Sequence, residues 1–131
     1  MGLIAAVFAV AGATLFGKSN NEDSSANLRL DAAFIVLIGS TCRLEQEVAS
    51  GNLVAGKNLF WEEVHITSHA LSGELAGANV AQQAKLLEAK SRVEVGFATL
   101  APSLKTDVPL LGNEIRAGLR AVAVPGAERT C

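Results

Sequence analysis

The stretch "FWEEVHITSHALSGELAG", residues 60–77, holds both histidines of this 131-residue chain. His65 and His69 are four apart, which on a helix puts them on one face, and Glu62 lies one turn before His65. Two imidazoles and a carboxylate on successive turns are the donor types that hold zinc or another divalent transition metal. There is no third histidine, so further ligands would have to be carboxylates such as Glu45, Glu47 or Glu114. The competing arrangement puts both histidines on a polar face, with Phe60, Trp61, Val64 and Leu71 turned to the core. The sequence favours that arrangement, and no metal or other cofactor is expected.

A second pattern is "GATLFGKS", residues 12–19, which fits the phosphate-binding loop through Gly12, Gly17, Lys18 and Ser19. The apolar run "LIAAVFAVA" before it would serve as the buried strand. After Lys18-Ser19, however, comes "NNEDSSAN", which offers no apolar face to pack a helix on a sheet and places two acids near the phosphates. None of Asp23, Asp31 and Asp107 ends an apolar strand that would position a magnesium ligand. The motif is read as coincidence. No serine stands in a G-x-S-x-G elbow either, so triad catalysis has no support and an enzyme is not expected.

The elements that must carry these residues follow from composition and punctuation. Half the residues are apolar, 18% are charged and the net charge is −2. Ala and Leu dominate and Tyr is absent, which favours helix over a β-sandwich. No basic stripe with interleaved aromatics appears, which argues against nucleic acid as a partner. Residues 1–17 form an apolar N-terminal segment, too short for a bilayer span and without the basic n-region of a signal peptide. Lipid contact through it stays open. Residues 18–27 read as a polar linker, 28–125 as a helical domain and 126–131 as a tail.

Within that domain Ser25 or Asn27 caps a helix through "LRLDAAFIVLIGSTCRLEQEVAS", although the apolar middle, 32–40, would also suit a buried strand. "SGN" at 50–52 closes it. A helical stretch runs from Leu53 to about Lys90, either as one helix weakened by Gly56, Gly73 and Gly77 or as two helices meeting somewhere in 72–79. Residues 91–101 alternate at Val93, Val95 and Phe97 with a strand-like period. Pro102 and Pro109 bracket a loop before a final helix, "LLGNEIRAGLRAVAV", on which Arg116 and Arg120 form a solvated face. Cys42 and Cys131, 89 positions apart, read as a buried small hydrophobe and a loose terminal thiol. Cysteine usage of this kind suits a cytoplasmic or membrane-associated protein better than a secreted one.

From His69 onward, "SHALSGELAGANVAQQAKLLEAK" resembles the signature helix of a histidine-phosphotransfer domain. Leu71 and Gly73 stand two and four positions after the histidine, and Ser72 stands where that family carries a lysine. The resemblance covers roughly residues 60–120. It implies a four-helix bundle that presents His69 as a phosphoryl acceptor, with Gly73 leaving room for a response regulator.

Taken together, the expectation is an all-α, four-helix-bundle-like fold with an apolar N-terminal segment, a small α/β domain being the alternative. The expected function is non-catalytic: self-assembly or protein-partner binding, in a larger or membrane-associated assembly. Leu3, Val7, Phe8 and Leu15 of the apolar segment are the expected interface, with the small-x-x-x-small pair Gly73 and Gly77. A phosphotransfer carrier using His69 is the alternative, and a metal-binding bundle using Glu62, His65 and His69 comes third.

Overall fold

A computed structural model describes residues 30–131. The chain divides into two units, Met1–Ala32 and Ala33–Cys131, and the second holds every contact discussed below. Leu3, Val7, Phe8, Leu15 and the phosphate-loop pattern Gly12, Gly17, Lys18 and Ser19 lie outside the described residues.

The fold is all-α, with no strand among the described residues. Helix α1 covers 30–49. A second helical run comprises α2 (Leu53–Leu59), a π-helical turn (Phe60–Val64) and α3 (His65–Ala78), followed by α4 (Val80–Thr99) and α5 (Leu104–Ala121). Residues 32–40 are therefore helical, and 91–101, which the sequence left open between strand and helix, falls to helix as far as Thr99, where α4 ends. The alternation there comes from Val93 and Phe97, one helical turn apart and fully buried, with Val95 outward between them. A period of two and a period of 3.6 coincide over so short a stretch.

Each helix ends for a visible reason. After α1, Gly51 takes the left-handed conformation (φ +81°) and the Asn52 N–H returns to the Glu47 carbonyl, 2.9 Å away. Asn79 breaks α3 from α4 with an extended backbone, and its side-chain oxygen accepts from the Gln82 N–H at 3.0 Å. Pro109 does not bound a loop, as its neighbours suggested, but sits within α5. It removes only the hydrogen bond to the Lys105 carbonyl, and both residues are exposed, so water satisfies that oxygen.

The core lies where α3, α4 and α5 meet the π turn. Phe60 and Phe97 have ring centroids 5.4 Å apart. Leu71, Leu75, Leu86, Leu104, Leu111, Ile115 and Leu119 close around them, all fully buried. Gly118 allows α5 to approach α3: a Cβ there would stand 3.1 Å from Leu75 and 3.2 Å from Leu71. No helix among the described residues is long and apolar enough to cross a membrane.

Among the long-range ties that fasten α1, two join it to α5 and to the chain end. Glu45 accepts from the Arg116 guanidinium at 3.0 Å, and the same nitrogen reaches Asn113 at 3.0 Å. Both charged side chains are largely buried, so Arg116 is a structural partner rather than part of a solvated face, whereas Arg120 is exposed. The second tie is covalent. Cys42 and Cys131 form a disulfide, correcting the reading of two separate thiols. The fold returns the chain end to α1, with Val124 and Ala127 buried on the way, so that sequence distance gives no measure of spatial distance.

Glu45→Ala leaves the Arg116 charge buried without its anion. It is expected to cost about 2–3 kcal/mol in urea unfolding, and Glu45→Met/Arg116→Met to recover most of that loss. Opening the 89-residue loop with dithiothreitol should lower stability by about 3–4 kcal/mol. An unchanged urea midpoint would contradict the bond's structural role.

Candidate functional site

The seam between α3 and α4 gathers the titratable groups. His65 begins α3 directly after the π turn, and its ring lies against Trp61 (centroids 4.5 Å apart) and edge-on to Phe60 (5.6 Å). His69, one turn later, is exposed and meets the His65 ring nearly perpendicularly at 4.6 Å. Across the seam, Glu94 of α4 accepts from His65 Nε2 at 3.2 Å. The same Glu94 oxygen accepts from the Lys90 ammonium, one turn earlier on α4. Lys90 is buried with only 5% of its surface exposed, so Glu94 supplies the counter-charge that makes its burial tolerable.

These neighbours shift the titration of the cluster. Burial holds the His65 imidazole below its ordinary range, the Lys90 charge and His69 push the same way, and Glu94 opposes them. Burial raises the Glu94 carboxyl, but the Lys90 hydrogen bond and charge, joined by His65, outweigh it and hold it below the usual carboxylate range.

The structure brings together His65 and His69, as their spacing required, but not Glu62, which is exposed. The third potential ligand is Glu94: one donor atom from each of His65, His69 and Glu94 lies within 4.8 Å of the others. Glu45 and Glu114, expected to help, are engaged elsewhere, with Arg116 and with Gln82 (2.7 Å) respectively. Phe60, Val64 and Leu71 face the core as expected, while Trp61 remains 40% exposed against His65. Of the residues carrying the phosphotransfer resemblance, His69 is exposed and Gly73 has open space where a side chain would be. Leu71 is core, and Ser72 is buried with its hydroxyl and carbonyl engaged by Gln83.

Beside the cluster, α4 presents a second feature that sequence reasoning missed. Its buried positions are Leu86, Ala89, Lys90, Val93, Gly96 and Phe97. Val80, Ala84, Leu87, Ser91, Val95 and Ala98 are all exposed, and none is charged. Their spacing of 4, 3, 4, 4 and 3 averages the helical period, so the stripe runs straight along the helix for about 27 Å. Reading 91–101 as a strand had cut this stripe in half and detached Glu94 from Lys90. Their i, i+4 spacing is the helix signal that would have joined them. The expected interface glycines, Gly73 and Gly77, are exposed on α3 with nothing near their missing side chains.

Comparison with known proteins finds no matching family, no similar curated protein and no similar solved structure.

The lowered titration of half-buried His65 has a consequence for stability. The unfolded chain binds a proton near pH 6.5 and the folded chain only below that, so stability is full above about pH 6.5 and falls on acidification. Glu94 adds a further loss as pH drops through its own, lowered pKa. Urea midpoints measured from pH 8 to 5 should decline in the native chain and flatten in His65→Gln. Equal slopes in the two proteins would contradict the assignment.

Proposed function

We propose that this protein is a helical self-assembly module whose α4 pairs with α4 of a second copy, without catalysis. The observation that carries the reading is the exposed, uncharged stripe on α4. Large and small side chains alternate along it: Val80, Ala84, Leu87, Ser91, Val95, Ala98. Antiparallel pairing about a centre between 87 and 91 sets Val80 against Ala98, Ala84 against Val95 and Leu87 against Ser91. Every large residue then meets a small one, and each contact is made twice, as a two-fold interface demands. Val80 and Val95 are each 66% exposed and Leu87 40%, so pairing removes apolar surface from water.

A strip about 27 Å long and one helix diameter wide gives roughly 270 Å² per copy, well under the ~800 Å² of a stable interface. The dimer should therefore dissociate on dilution. The Cys42–Cys131 disulfide supports an oxidising compartment as the working environment, contrary to the cytoplasmic expectation. A phosphotransfer carrier is the second reading, favoured by exposed His69 beside open Gly73. Acid-labile phosphate on the chain after incubation with phosphoramidate, absent in His69→Gln, would support it.

Sedimentation velocity over a hundredfold range of concentration tests the assembly reading. The native chain should pass from monomer to dimer, and Leu87→Glu should stay monomeric. Ser91→Leu should also weaken pairing, by setting leucine against leucine. The exchange Leu87→Ser/Ser91→Leu should restore it, because large again faces small. A native chain monomeric throughout overturns the proposal, as does a dimer insensitive to Leu87→Glu.

A further inference from the structure

We infer that His65, His69 and Glu94 form a binding site for one divalent transition-metal ion, with zinc the best match to the donor set. The inference is independent of the assembly reading, since it uses the inner edge of the α3/α4 seam rather than the outward stripe. Two neutral imidazoles and one carboxylate are the hard-to-borderline donors that zinc selects. The two histidines come from adjacent turns of α3 and the carboxylate from α4, so the ion would bridge two elements.

The distances are close to what is needed. Donors around a tetrahedral zinc with bonds of about 2.0–2.1 Å stand about 3.4 Å apart. His65 and Glu94 are already 3.2 Å apart, and all three donors lie within 4.8 Å of one another. His65 lies against the Trp61 and Phe60 rings, whereas His69 is exposed, so the adjustment falls to His69.

Lys90 completes the argument. Its ammonium already sits on one Glu94 oxygen, so this carboxylate faces a cation in the metal-free protein. That oxygen, Oε1, is also the one 3.2 Å from His65 Nε2, so a metal held there competes with the ammonium, which weakens binding. Three protein donors would leave a fourth position for water. The exposed Glu62, the sequence's own third ligand, has no part in the site.

The test is zinc titration of the full, disulfide-intact chain, followed by calorimetry and by the fluorescence of Trp61, the single tryptophan, against the His65 ring. One zinc per chain is expected, with a change in Trp61 emission. His69→Ala, at an exposed position that leaves the core intact, should weaken binding at least tenfold, as should Glu94→Gln. Glu62→Gln should leave it unchanged. Lys90→Met, similar in volume but uncharged, should tighten binding several-fold and so separates a metal site from a merely structural ion pair. Absence of stoichiometric zinc binding overturns the inference, and so does binding that His69→Ala does not weaken. Neither result bears on the α4 dimer, which sedimentation without metal reads separately.

Discussion

A lysine ammonium cannot enter a protein interior without an anion, and the α3/α4 seam is organised by that requirement. Lys90 lies on the buried face of α4 among Leu86, Ala89, Val93 and Phe97. Its charge must be met, and the only carboxylate on its helix that reaches it is Glu94, one turn on. Glu94, so fixed, turns toward α3 and meets His65. Farther along the same seam Gln83 of α4 reaches Ser72 of α3 at 3.1 Å. Polar links therefore tie the junction at two places, and rotating α4 about its axis would break them. That fixed rotation also determines which residues of α4 are left outside, namely the uncharged stripe.

The remaining ties hold α1 to this frame from two sides. Ser40 and Arg43 both donate to Glu63 in the π turn, at 2.6 and 2.5 Å, while Glu45 engages Arg116 of α5. The disulfide from Cys42 then fastens the chain end to the same helix. Helix α1 thus contributes its buried Phe34, Leu37, Leu44 and Val48 to the core and is secured by charge and covalent bond. The π turn carries Glu63 to α1, while His65, directly after it, meets Glu94 of α4. Such turns recur where side chains must be placed against the ordinary helical register.

Much of the fold could be read in the sequence. Ala/Leu-rich composition, the "SGN" turn and a break in 72–79 located the helices, because caps and periodicity are local properties. What could not be read was non-local. The two cysteines are 89 residues apart, and no local rule brings them together. Arg116 looked solvated because its partner lies on α1. Glu94 was hidden by an alternation of valines that a strand and a helix share. Pro109 argued for a loop, whereas α5 tolerates it because the orphaned carbonyl is on the water side. Of the candidate site, the histidine pair was legible from its i, i+4 spacing. Its third member was not, since the π turn and the packing of α4 decide which carboxylate arrives.

Helix α4 has two faces: one tied to α3 through Glu94, the other the uncharged stripe proposed to pair with a second copy. Isotope-filtered NMR on an equal mixture of labelled and unlabelled chains measures contacts between copies alone. The account predicts cross-peaks from the Leu87 methyls to Ser91 of the other copy and from Val80 to Ala98. Inter-copy contacts confined to other helices, or none at concentrations where the chain is dimeric, would contradict it.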